Sequence, residues 1–151
     1  MSGDPTGTRQ PATRKRAVGI VIALILILAA IVLIAVFAHL HRVHTIRAQV
    51  GAGIATADGT RVAVAIYHAQ TGAWPPDNTA AGLLSPSAVN GRYVTDVHID
   101  DGRIVITLGA QVHRKVRGDH VTLTPYLDSA LVRWHCASTD IRADLLPESC
   151  R

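Results

Sequence analysis

Residues 17–38 form an unbroken run of 22 apolar and glycine positions, and the residues that follow change period twice. As a helix rising ~1.5 Å per residue, the run would span roughly 33 Å, enough to cross a ~30 Å hydrocarbon core. Beyond it the pattern turns amphipathic. Ile46, Val50 and Ile54 recur four residues apart, and Val62, Ile66 and Ala69 prolong the stripe. No proline interrupts residues 12–74, so one long helix is predicted from the apolar run to about Thr71. Gly51, Gly53 and Gly59 each cost about 1 kcal/mol against alanine in a helix interior, which predicts a bend or short break near 51–59. Thr71-Gly72 followed by Trp74-Pro75-Pro76 then closes the helix.

After a loop to about Arg92 the period becomes two. Tyr93 to Ile99 alternates, Asp100-Asp101-Gly102 reads as a turn, and Arg103 to Leu108 alternates again, a hairpin signature. His120 to Pro125 and Ala130 to Cys136 are two further strand candidates. The expected class is α+β: a long N-terminal helix whose amphipathic half covers one face of a four-stranded antiparallel sheet.

Charge supplies an orientation. Arg9, Arg14, Lys15 and Arg16 precede the run, whereas only Arg42 and Arg47 follow closely. The positive-inside rule therefore predicts a cytoplasmic tail over 1–16, a transmembrane helix over 17–38 and an extracytoplasmic domain over 39–151, a single pass through a bacterial inner membrane. The tail has no apolar period and is expected to lack structure. The competing assignment is a cleavable secretory signal with Val36 and Ala38 at its cleavage site. The run exceeds the apolar region of about 7–15 residues usual there, which favours a retained span.

The net charge of +4 is concentrated at the N-terminus, since beyond residue 38 eleven basic residues face ten acidic ones. The exported part is nearly neutral, so the basic balance reflects topology and implies no specific nucleic-acid partner. Both cysteines, Cys136 and Cys150, lie in the final sixteen residues on the predicted oxidising side. A disulfide is the favoured reading; metal binding has only His135 alongside to support it. Closing such a loop is worth about 3 kcal/mol in the chain-entropy model.

Four segments, taken in order, resemble the type IV pilins of the major-subunit kind over residues 45–150. They are Thr45-Ile46-Arg47-Ala48-Gln49-Val50; Thr71-Gly72-Ala73-Trp74-Pro75 with Asp77-Asn78-Thr79-Ala80-Ala81-Gly82-Leu83; Gly91-Arg92-Tyr93-Val94; and Thr122-Leu123-Thr124-Pro125 leading to Trp134-His135-Cys136 and Leu146-Pro147-Glu148-Ser149-Cys150. The resemblance implies a helix packed on a four-stranded sheet, a variable loop between them and a disulfide-bounded C-terminal region exposed on a filament. It also implies a structural role in pilus assembly, adhesion or motility, with other pilin subunits or assembly components as partners and a cell-surface pilus as destination. The N-terminus departs from the family. Pilin precursors are cut after a glycine that precedes Phe-Thr-Leu-Ile-Glu, whereas Gly19 here is followed by Ile20-Val21-Ile22-Ala23-Leu24, with Leu24 in place of the glutamate. The expectation is a largely uncut chain, and the alternative function is a non-polymerising anchored module that binds a pilus component or external ligand.

Other chemistry is sparse. His39, His41 and His44 have the residue type for metal binding or acid sensing, but no neighbouring carboxylate or cysteine completes a ligand set, and imidazoles suit the interfacial layer. Arg114, Lys115 and Arg117 form a candidate basic contact loop for an acidic surface, without aromatic platforms beside it. Asp100-Asp101-Gly102 is explained by turn chemistry without calcium. Ser85 and Ser87 flank a proline with no base in pattern, and no phosphate loop occurs, so neither an enzyme nor a cofactor is expected. Trp74 and Trp134 are expected to pack in the core or under loops.

Overall fold

The computed structural model describes residues 12–151. Residues 1–11 of the basic tail, Arg9 among them, lie outside the described residues. The chain divides into two units, Met1–His41 and Arg42–Arg151.

Helix α1 runs over Ala12–Ala55. It therefore includes residues 12–16, contrary to the structureless tail that the sequence predicts there. Nothing in Ala-Thr-Arg-Lys-Arg breaks a helix, and extending one already nucleated by the apolar run is far easier than starting anew. Within the first unit the large apolar side chains are exposed: Phe37 is 70% exposed and even Ile22 is 52% exposed. An 18-residue window there has mean hydropathy 3.6, long and apolar enough to cross a membrane.

In the second unit α1 ends at Ala55, a turn over Thr56 and Ala57 follows, and helix α2 occupies Asp58–Thr71. The break falls in the glycine-rich stretch. Gly72 adopts φ 74° and donates its N–H to the His68 carbonyl, the left-handed stop that the sequence predicts. Four strands follow: β1 (Val94–Asp100), β2 (Arg103–Leu108), β3 (His120–Asp128) and β4 (Leu131–Ala137). They form one antiparallel sheet in the order β1-β2-β3-β4. Asp100 pairs with Arg103 across a two-residue turn in which Asp101 (φ 47°) and Gly102 (φ 81°) are both left-handed, the geometry that suits the twist of a hairpin.

Strand β3 extends three residues past Pro125, where the sequence reading stopped. Pairing to β2 ends at Leu123, so from Pro125 onward β3 has β4 on one side only, the two-stranded setting in which proline's missing N–H is tolerated. The β3–β4 turn uses Ser129 (φ 49°) and Ala130 (φ 68°), without the glycine that marks such turns in a sequence.

The core lies between helix and sheet. Ile46, Val50, Ile54, Ala57 and Val64 meet Val97, Ile99, Ile104, Ile106 and Leu123, all buried. A Cβ on Gly53 would lie 3.0 Å from Leu108 Cδ2 and 3.3 Å from Val94 Cγ2, so the absence of a side chain lets helix and sheet approach closely there. Val62 (58% exposed) and Ile66 (51%) do not belong to this core, contrary to the stripe read from the sequence. The reason is helical phase. Within α2, Val62 and Ile66 each lie two residues, about 200° of helix, from the buried Val64, so they face away from the core.

Candidate functional site

The two ends of strand β2 carry the most highly organised surface features. At its Leu108 end, the loop over residues 109–119 presents Arg114, Lys115 and Arg117 to solvent while burying Val112 (3% exposed) and Val116 (0%). These valines act as plugs that fix the loop to the core. His113 N–H donates to Gln49 Oε1 at 2.8 Å, Lys115 N–H to His113 Nδ1 at 3.2 Å and Val116 N–H to the His113 carbonyl at 3.0 Å. The loop stem is closed by Gly118 N–H to the Leu108 carbonyl at 2.9 Å and Leu108 N–H to the Asp119 carbonyl at 3.0 Å. The three cations are therefore displayed on an ordered frame.

At the other end, the Asp100-Asp101-Gly102 turn is locked against the loop that follows α2. Asp101 N–H donates to the Pro76 carbonyl at 3.2 Å and Gly102 N–H to that of Pro75 at 2.8 Å. Trp74 covers the turn so closely that a Cβ on Gly102 would lie 2.7 Å from its Cβ, and its ring stacks on His68 with centroids 3.9 Å apart. The same loop continues along the free edge of β1. Asn78 is 4% exposed; its Oδ1 accepts from Ile99 N–H at 2.7 Å, and its Nδ2 donates to the Val97 carbonyl at 3.0 Å and the Leu84 carbonyl at 3.4 Å. One side chain thus serves as a substitute strand at an edge that would otherwise be open to pairing.

The C-terminal segment folds back on β3, β4 and α1. Cys136 is bonded to Cys150 with Cα atoms 4.5 Å apart, closing a sequence separation of 14. Arg47 Nε donates to the Asp144 carbonyl at 2.8 Å, and Ile141, Leu145 and Leu146 are buried. Asp140 Oδ2 receives both the backbone N–H of His120 (3.1 Å) and its Nδ1 (2.8 Å), which holds the Asp140 carboxyl below the ordinary aspartate range. Asp119 is shifted up, first by burial and then by the neighbouring Asp140 charge.

Residues 46–151 match the family described as Pilin (bacterial filament). The chain belongs to the pilin family. This pilin is 36% identical over 118 residues to the type IV major pilin protein PilE of Neisseria gonorrhoeae, covering 78% of this chain and 68% of that one. It is 34% identical over 126 residues to a fimbrial protein of Neisseria meningitidis serogroup A, covering 83% and 71%. It is 36% identical over 137 residues to the fimbrial protein EcpC of Eikenella corrodens, covering 87% and 84%.

Of the residues singled out from the sequence, the structure brings Cys136 to Cys150 and places Arg114, Lys115 and Arg117 on one loop. His39, His41 and His44 are exposed along α1, and among the described residues of this pilin no three histidine, cysteine or carboxylate side chains form a group that could hold a metal ion. Trp74 and Trp134 are partly buried against the core. Asn78, Gln49, Arg47 and the His120–Asp140 pair were not anticipated. Each contacts a partner 19 to 97 residues away, and no local pattern announces such contacts. Ile66, misassigned to the core, instead lines an open groove of about 330 Å³ with Tyr67, Gln70 and residues 80–83.

Proposed function

We propose that this pilin is anchored in the bacterial inner membrane by residues 17–38, with its N-terminus in the cytoplasm, and serves as a structural subunit of a type IV pilus. The observation that carries the reading is an apolar helix that none of the described residues buries, in a chain whose second unit is of the pilin family. Such a surface needs lipid or neighbouring helices around it. A membrane supplies the first and a filament interior the second. The oxidised Cys136–Cys150 pair supports an exported role, and membership of a family of filament proteins supports a non-enzymatic one. Adhesion and motility are the activities through which such a filament would act. The Arg114, Lys115 and Arg117 loop is the proposed contact surface.

A subunit inside a filament could not retain Arg14, Lys15 and Arg16, because unpaired charges in an apolar interior cost several kcal/mol each. The reading therefore requires cleavage after Gly19, despite Leu24 in the position of the family's glutamate. That departure favours a second reading, in which the uncut chain stays in the membrane as an accessory module. Mass spectrometry of the N-terminal peptide from membranes and from sheared surface filaments separates the two. A chain beginning at Ile20 in filaments supports the subunit reading. A full-length chain confined to membranes refutes it in favour of the anchored module.

A further inference from the structure

The cationic loop and the acidic turn sit at opposite ends of one strand. β2 spans Arg103–Leu108, so about 17 Å of strand separates them at ~3.4 Å per residue. Both ends are rigid. The loop is plugged by Val112 and Val116 and tied to Gln49; the turn is tied to Pro75 and Pro76 and covered by Trp74. Among the described residues, no ion pair engages Arg114, Lys115 or Arg117. At the turn, Asp100 is bound to Arg103, which leaves the Asp101 carboxylate and the neighbouring Asp77, whose Oδ1 takes the Ala80 N–H, as the excess negative charge.

We infer that the acidic turn of one copy docks on the basic loop of a second copy, joining folded units head to tail along the β2 direction. Three arguments select a second copy as the occupant. The complementary charge lies on the same chain and is fixed in place before contact, so little ordering cost is incurred on docking. The unit beyond residue 38 is nearly neutral, with eleven basic and ten acidic residues, so copies approach without long-range repulsion. The loop lacks the aromatic platforms that a single-stranded nucleic acid would use. Because the two surfaces differ, the contact is heterologous: each added copy leaves one basic and one acidic end free, the condition for an open filament rather than a closed dimer. The inference rests on the reading of this chain as a filament subunit and names the polar contact that would accompany its apolar one.

Carbodiimide cross-linking tests it, since Lys115 is the only lysine beyond Lys15. Membrane vesicles and sheared filaments from cells shifted from light to heavy medium, so that light and heavy copies are incorporated side by side, are both treated, and peptides joining one light and one heavy copy are identified. The expected product is an amide between Lys115 and Asp101, Asp100 or Asp77. Its yield should fall roughly tenfold between ~0.15 M and ~1 M salt, as the screening length shrinks from about 8 to about 3 Å. Lys115→Glu should abolish it, and Lys115→Glu combined with Asp101→Lys should restore a link of reversed sense. Absence of these links from both samples, or mixed-isotope links from Lys115 only to other carboxylates or other proteins, overturns the inference. Filaments that contain the chain without this link overturn the inference but leave the subunit reading standing. The link in vesicles from cells without such filaments supports the docking and overturns the subunit reading.

Discussion

Replacing Asn78 by alanine removes three hydrogen bonds at a site only 4% exposed, and two of them satisfy the outer edge of β1 at Val97 and Ile99. The net worth of each bond is about 1 kcal/mol, but the larger effect is what remains: a buried N–H on Ile99 and a buried carbonyl on Val97 without partners, at about 1–3 kcal/mol each. Allowing for water entering the vacated space, the expected loss is about 3 kcal/mol. For a unit of this size that corresponds to a melting temperature lower by roughly 10–15 °C. Asn78→Asp should be no milder, because a carboxylate still accepts from Ile99 but opposes the Val97 carbonyl and buries a charge. The measurement is urea unfolding of the detergent-solubilised full-length chain, followed by the fluorescence of Trp74 and Trp134 and paired with amide exchange. The Ile99 amide should exchange about a hundredfold faster in the variant, in line with tenfold per 1.4 kcal/mol. A loss under about 0.5 kcal/mol, with Ile99 as protected as before, would refute the view that Asn78 seals this edge. The exposed neighbour substitution Thr79→Ala should stay within about 0.5 kcal/mol.

Helical phase makes a sharper claim than apolarity. Val64→Asp places an unpaired charge in the core and should unfold the second unit, whereas Ile66→Asp, on the exposed side, should shift the urea midpoint little; equal effects would contradict the phase assignment. Cys136→Ser or Cys150→Ser should cost about 2–5 kcal/mol and loosen chiefly the segment after β4, and alkylation before and after reduction, read by intact mass, should find no free thiol in native material. Asp140 has a depressed folded pKa, so its contribution is present above the unfolded value and is lost as pH falls through the folded one. Asp119, shifted up, contributes in the opposite sense, favouring the folded state when protonated and losing that benefit as pH rises through its folded value. The Asp140 contribution should therefore be lost below about pH 4, and Asp140→Asn should be less stable than the native chain at neutral pH, with a difference that narrows in acid. A difference that does not narrow would count against the His120–Asp140 latch.

The elements that depend on neighbouring residues were legible in the sequence. The Asp100-Asp101-Gly102 turn, the Gly72 stop and the alternation of β1 and β2 each reside within a few residues, where backbone chemistry decides. Ile46, Val50 and Ile54 were also read correctly, because over eight residues the drift of a four-residue step stays near 80°. Extending that step across the Thr56-Ala57 break to Val62 and Ile66 carried it off the face. The β3–β4 turn escaped notice because Ser129 and Ala130 occupy left-handed positions without the usual Asn-Gly signal. Asn78 sits in a loop composition that fits any surface turn, and its role is set by strand residues 19 and 21 positions ahead. The basic loop was visible as charge, but the valine plugs and the Gln49 tie that organise it belong to tertiary structure.

The strand order β1-β2-β3-β4 has a consequence for how the second unit acquires its structure. Every strand pairs with its neighbour in the chain, so the sheet is assembled from contacts of short sequence separation, the kind associated with rapid folding. The longer reaches, from α1 and α2 to the sheet and from Arg47 to Asp144, carry the larger loop-closure entropy. Oxidation adds no search of its own. With two cysteines in the chain, one intramolecular pairing exists and no mispaired isomer can trap it, so the covalent step needs an oxidant but no reshuffling.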